Sequence, residues 1–486
     1  MSNLAQVLHV QPPAATASAA VTAKALYGEL SRHAPDGTLH AQARAFLDAQ
    51  LTQARGLSAD LPLELDAMPD WIAARTEAVG AQYRAYLNAR QHGGPRRYFT
   101  NKAHALHFIR GVAPTKLVDG AWLYGLLPRW NDAAFYPLIK TYLEELGDGV
   151  PDKNHVQLYK RLLAAHGCEH WQDLSEAHFT QGAIQLALAY DAEHFLPELI
   201  GYNLGYEQLP LHLLITSYEL NELGIDPYYF TLHVTVDNAA TGHAMKAYEG
   251  LRELMPRVGD ASAFYRRVLD GYRLNDLGEC TTSVIAGFDL EAELVAILAA
   301  KAKVGKNMHS DYCRVAGRTV NDWLADPAQI PDFLHSLEQN GWIKRGEPAE
   351  NSRFWRLIHG ERADMFGVFS AYEQQVLRDW IHAVPTDGTA LSTVPRIQTY
   401  RALQRSRDAL GQGQTGRPHG ARGIIRHHVN ADANAGNQEL RLLEQQVAEL
   451  GSKAQAMDML AALMGPHNHH TAPGLMATRL FSKLLD

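Results

Sequence analysis

The chain has only three cysteines, Cys168, Cys280 and Cys313, in 486 residues. Three cannot build a disulfide framework, and their spacing is not that of a zinc site. A reducing compartment is expected, and cytoplasmic localisation with it. No apolar run approaches the length of a membrane span, so no membrane partner is expected. The N-terminus lacks a basic stretch followed by an apolar one, so no signal peptide is read. Basic residues are outnumbered, 45 Lys and Arg against 53 Asp and Glu, for a net charge of -8. Nucleic acid is therefore not expected as a partner, because nonspecific affinity for it needs a basic surface. Gly-rich phosphate loops, G-x-S-x-G and H-E-x-x-H are absent. That removes the usual signatures of nucleotide, serine-hydrolase and zinc-protease chemistry. Alternating strand patterns are scarce.

What is present is helical periodicity and an excess of histidine, 24 residues in all. Residues 1–22 are rich in Ala, Pro and Ser and read as a mobile lead-in. Residues 23–97 carry apolar positions at three and four, as in AQARAFLDAQL, and form a helical N-terminal extension that ends at the QHGGPRR break. Residues 98–305 hold longer apolar helical segments, several ending at Gly, and read as an all-α bundle. In residues 306–385 two short helices precede WIKRG and SRFWRLI, which flank the polar turn EPAEN. That is a hairpin signal and suggests a small winged-helix-like accessory module. Residues 386–486 hold a Gly-rich linker and C-terminal helices. Leu440, Leu443, Val447 and Leu450 make an apolar stripe there that is expected to dock on the chain's own body. The fold class expected is therefore all-α, with a small C-terminal α/β accessory region.

Three clusters carry chemistry. In YYFTLHVTVDNAATGHA, His233 and Asp237 are four residues apart and share one helix face, and His243 follows. In LEELGDGVPDKNH, Glu144 or Glu145 near a helix end can meet His155 across a short Gly/Pro turn. In PELIGYNLGYEQLPLH, Glu198, Glu207 and His212 occur together. Glu207 lies amid apolar and aromatic residues, where a carboxylate is costly unless paired or metal-bound. Each cluster alone also fits ordinary helix caps, surface residues or hydrogen-bonded core groups. On successive helices of one bundle they supply the imidazoles and carboxylates of a carboxylate-bridged di-iron site.

These motifs resemble the haem-oxygenase-like di-iron oxidases and oxygenases, also called iron-containing redox enzymes. The resemblance covers roughly residues 98–300. It runs through Glu144-Glu145-Leu146-Gly147 with Asn154-His155, through GYNLGYE ending at Glu207, and through His233 and Asp237. The first Glu is the family's usual ligand, which selects Glu144 and keeps Glu145 in reserve. The family's final histidine falls on Ala240 here, and the nearest substitute is His243, three residues late. At about 100° per residue, His243 would face away from His233 on an unbroken helix. It reaches the site only if the helix breaks after Ala240, and Thr241-Gly242 is where a break is expected. The resemblance implies a haem-oxygenase-like helical bundle and the metal ligands Glu144, His155, Glu207, His233, Asp237 and His243. It also implies two iron ions and dioxygen as co-substrate, with an amino-acid- or fatty-acid-like substrate oxidised. An external electron donor and a homodimer are compatible with it.

Three rivals were weighed. The first is a non-catalytic helical binding protein with an incomplete metal site. The second is a hydrolase with a Cys nucleophile, for which Cys168 and Cys280 lie outside the three clusters. The third is a haem protein with His104 or His107 as axial ligand. Trp122, Tyr124, Tyr202, Tyr228 and Tyr229 are candidate pocket aromatics. His427, His428, His467, His469 and His470 lie in Gly/Pro/Asn-rich stretches, and no ligand role is expected for them.

Overall fold

Buried apolar positions spaced at three and four build helices throughout, and the computed structural model is all-α apart from one two-strand ribbon. It describes residues 21–236, 242–383 and 433–485. Among these, no helix is long and apolar enough to cross a membrane. The bundle helices run Lys102–Gly111, Tyr136–Glu145, His155–His166, Glu176–Tyr190, Leu196–Tyr206, Leu211–Glu222, Tyr228–Val236 and His243–Leu254. Helix Ala261–Arg273 was not anticipated, although its Asp260 N-cap, which accepts from Ala263 N at 2.8 Å, is an ordinary start signal. It packs tightly on Leu196–Tyr206. A Cβ at Gly201 would lie 1.8 Å from the Val268 carbonyl oxygen, and one at Gly271 would lie 1.9 Å from that of Glu198. Only glycine permits that approach, and it fixes the helix that ends just before Glu207.

Two apolar clusters form the core. One joins the N-terminal helices Ala23–Leu30 and Gly37–Ala54 with residues 118–146, 174–204 and 244–274, and with the C-terminal helices. The other joins residues 99–113, 158–168 and 220–230 with 284–381. Glu219, fully buried in helix Leu211–Glu222, holds the chain entry to the second cluster. Its carboxylate accepts from the Tyr98 and Phe99 amides at 3.1 and 2.9 Å and from the Tyr86 hydroxyl at 2.7 Å.

The C-terminal stripe docks as expected. Leu443 is buried, and Leu440 and Val447 pack on the first cluster. The hairpin expected around EPAEN does not form, so the accessory module has no wing there. Arg353–Ile358 is a helix that buries Phe354, Trp355 and Ile358. A strand burying 354 and 358 would have to bury Arg356 as well, whereas a helix turns Arg356 outward. The two strands among the described residues are instead Arg314–Val315 and Arg318–Thr319, antiparallel, with Arg314 opposite Thr319.

Candidate metal centre

The seam between the two apolar clusters holds a concentration of buried charge. Among the described residues, Asp119, Glu145, His155 and His233 bring their ligand atoms within 4.8 Å of one another, and so do Glu145, Glu207 and His243. All six are buried. Glu145 belongs to both groups. One of its oxygens, Oε2, contacts His155 Nδ1, and the other, Oε1, lies 3.3 Å from His243 Nδ1.

Local structure sets each side chain. Glu145 is the last residue of its helix and His155 the first of the next, so one short loop presents both. Asp119 precedes Gly120, which has φ 77° and abuts Glu145. A Cβ at Gly120 would lie 2.7 Å from the Glu145 Cβ. Left-handed backbone and close approach together make glycine necessary there. His233 Nδ1 lies 2.9 Å from the Tyr229 carbonyl oxygen, one helical turn back. That contact keeps a proton on Nδ1. His233 Nε2 then faces Asp119 Oδ2 at 3.1 Å. A proton on Nε2 or a bound cation fits between the two atoms. Asp119 is held further by the hydroxyls of Tyr206, donating to Oδ1 at 2.7 Å, and Tyr229, donating to Oδ2 at 2.5 Å. The Lys116 ammonium is 3.8 Å away.

The other group is less supported. His243 Nδ1 lies 3.0 Å from Glu207 Oε2, and its Nε2 lies 2.8 Å from Glu144 Oε2. Glu207 Oε1 is buried with no hydrogen-bond partner. Burial opposes ionisation of Asp119 and Glu145. The neighbouring Lys116 and His233 nonetheless hold Asp119 below the usual carboxylate range, and His155 and His243 do the same for Glu145. Burial pushes Glu207 up, because His243 is shared among three carboxylates and offsets it only in part. Those same carboxylates raise His243 well above the ordinary imidazole value, against its burial. A buried ion costs several kcal/mol unless compensated. Three buried carboxylates and three buried imidazoles, with one carboxylate oxygen left without a partner, are therefore a donor set that could hold a cation. Carboxylate and imidazole together suit iron.

The structure places the sequence-expected residues unevenly. His155, Glu207, His233 and His243 come together. Asp237 lies outside the described residues. Glu144 lies at the rim, outside both groups, one-third exposed and paired with Lys246 Nζ at 2.5 and 2.6 Å. Its neighbour Glu145 takes the central position. Adjacent residues on a helix point about 100° apart, so only one can face the seam. Asp119 was missed. Its only sequence signal is a carboxylate inside the apolar stretch LVDGAW. Glu198, from the second cluster, serves packing instead, pairing with Arg267 at 2.6 Å. Helix Tyr228–Val236 ends before His243, which starts a new helix behind extended Gly242. His243 is thus free of the register that would have turned it away.

A cavity of about 720 Å³ reaches this centre. Glu145, Glu207 and His233 line its buried end, and exposed Ser58, Asp60 and Arg75 line its opening. Phe108, Val112, Leu213 and Phe230 supply apolar wall, and Lys116 and His212 supply polar groups. Burial lowers His212 to about 4, so it is neutral there. Of the aromatics considered as pocket walls, Tyr229 lines this cavity. Burial pushes the Cys168 thiol up to about 12, which leaves it no thiolate nucleophile. Cys280 is exposed and lines the cavity, where burial opposes its ionisation but hydrogen bonds with Thr282 and Ser283 lower its thiol pKa. His104 Nε2 faces the Ile285 carbonyl oxygen at 2.8 Å, and His107 lies 3.6 Å from Glu293.

Residues 106–275 match the model of a family described as iron-containing redox enzyme. No curated protein and no solved structure matches the chain.

Proposed function

Residues 106–275 match the model of the iron-containing redox enzymes, and from that match we propose that the chain is a non-haem di-iron enzyme. It uses dioxygen to oxidise a small amino-acid- or fatty-acid-like substrate, drawing on an external electron donor. The observation that carries this reading is Glu145, whose two carboxylate oxygens are directed to different imidazoles. Asp119, His155 and His233 would hold one iron, and Glu207 and His243 the other, with Glu145 between them. Asp237 remains a candidate on its sequence position alone. Iron bound there supplies the reductive activation of dioxygen.

The chain's own residues do the rest. Tyr206 and Tyr229 orient the Asp119 carboxylate, and the Tyr229 carbonyl sets the His233 tautomer. Such outer contacts typically tune metal affinity by about 10–100-fold. The cavity would admit the substrate along the wall formed by Phe108, Val112, Leu213 and Phe230. Lys116, beside Asp119 and lining the cavity, offers a charge for an acidic substrate group.

Anaerobic loading with ferrous iron tests the proposal. About two iron ions per chain are expected, as in other carboxylate-bridged bundles. Addition of a panel of amino and fatty acids to the loaded protein should then trigger oxygen uptake. Fewer iron ions and no uptake with any substrate would favour a binding protein with an incomplete metal site.

A further inference from the structure

The matched family segment ends at residue 275, yet the last helices of the chain lie against the loop that carries the centre. That loop runs from Glu145 to His155 and contains three consecutive residues of positive φ: Gly147, Asp148 and Gly149. Left-handed backbone on Asp148 is unfavourable by itself. The C-terminal segment grips both ends of the loop. Before it, the Tyr142 hydroxyl donates to the Met464 carbonyl oxygen at 2.6 Å. In the middle, the Gly149 carbonyl oxygen accepts from Arg479 Nε at 2.9 Å. A Cβ at Gly149 would lie 2.3 Å from the Leu475 carbonyl oxygen.

At the far end, Asn154 is fully buried and caps the helix that starts at His155. Its Oδ1 accepts the Gln157 amide at 3.0 Å, which fixes the orientation of the amide group. Its Nδ2 must then donate, to the Leu146 carbonyl oxygen at 3.3 Å and to His469 Nδ1 at 3.2 Å. His469 therefore accepts through Nδ1 and carries its proton on Nε2. That Nε2 is buried with no partner. An unsatisfied buried donor is destabilising, and an apolar side chain would avoid it. The imidazole is retained for what its other nitrogen does.

We propose that the C-terminal segment is a working part of the metal centre, and that His469, through Asn154, is a positioning residue for His155. The proposal rests on the metal reading above. His469 holds the Asn154 amide, Asn154 joins the carbonyl after Glu145 to the helix start at His155, and the two ligands keep their separation. The bundle is then incomplete as a metal site without residues 464–479. Expectations drawn from the sequence left His467, His469 and His470 outside the centre, and none of the three enters either ligand group; His427 and His428 lie outside the described residues. The role assigned here is not ligation.

Full-length protein tests this with cobalt(II), counted by titration and followed by its visible absorption, and with amide exchange on the metal-free chain. Wild type should bind two ions. His469→Leu should weaken one of them about tenfold or more, change that ion's visible bands, and leave the other ion unaltered. Exchange should quicken over residues 147–157. His469→Gln, whose side-chain carbonyl can still accept from Asn154, should restore both. His470→Leu, on the same segment but bonded to Lys160 rather than Asn154, should match wild type. If His469→Leu matches wild type in cobalt binding and exchange, the positioning role is overturned. Equal losses in His469→Gln and His469→Leu would reduce the residue to packing and also overturn it. A wild-type chain that takes up no cobalt would overturn the metal reading itself, and that result is visible without any variant.

Discussion

Asp119 and His233 are held by a lysine, two tyrosine hydroxyls and a backbone carbonyl. On the other side, the contacts described for Glu207 and His243 run to each other, to Glu144 and to Glu145. The Asp119 half is braced by groups outside the ligand set, which preorganises it. The other half keeps an orphaned carboxylate oxygen and a raised carboxyl. Metal affinity depends on outer contacts as much as on the ligand list. The halves should therefore fill in order, the Asp119 half first, and the Glu207 half should exchange its ion more readily.

The largest effect is expected at the residue the halves share. Glu145→Gln keeps the shape and removes the charge, so iron content should fall from about two per chain to about none. Retention of both ions, measured by iron analysis after anaerobic loading, would remove Glu145 from the bridging position.

The next pair of substitutions separates the halves. His233→Ala and Glu207→Gln should each leave about one ion, but not the same one. The ion surviving in Glu207→Gln should bind at least about tenfold more tightly than the ion surviving in His233→Ala. Equal dissociation constants in the two variants would erase the distinction drawn here. Helical content by circular dichroism should stay near wild type in both.

The smallest effect is expected at Glu144. It contacts His243 but is one-third exposed and already paired with Lys246. Surface ion pairs contribute about 1 kcal/mol or less. Glu144→Gln should keep about two ions, with no more than a few-fold weakening confined to the looser half. Loss of a whole ion equivalent in this variant would move the ligand role back to Glu144.

Much of the fold was legible in the sequence. The helices of the bundle were marked by apolar spacing and by Gly stops, though Ala261–Arg273 was not among them. The failure at SRFWRLI came from reading the polar turn EPAEN as a hairpin signal, when Phe354, Trp355 and Ile358 bury together on a helix. At the site, Glu207 was legible as a candidate because a carboxylate amid apolar residues needs a partner, and His155 and His233 because of their spacing from carboxylates and the family resemblance. Asp119 was not, because its partners Tyr206, Tyr229 and His233 lie about a hundred residues away in the chain. Nothing in LVDGAW distinguishes a ligand from a cap.

Local pattern by itself therefore determined a largely helical chain and the residue types available for a cation site, while the break before His243 was expected only from the resemblance taken with Gly242. Tertiary structure decided which of them meet. Glu144 and Glu145 are equivalent in any periodicity, and only the packing of Tyr136–Glu145 within the first apolar cluster turns Glu145 inward. His469 is a loop histidine until helix Ala472–Leu485 seats it against Asn154. A helix period states which face a residue can occupy. What that face meets depends on contacts between elements far apart in the chain.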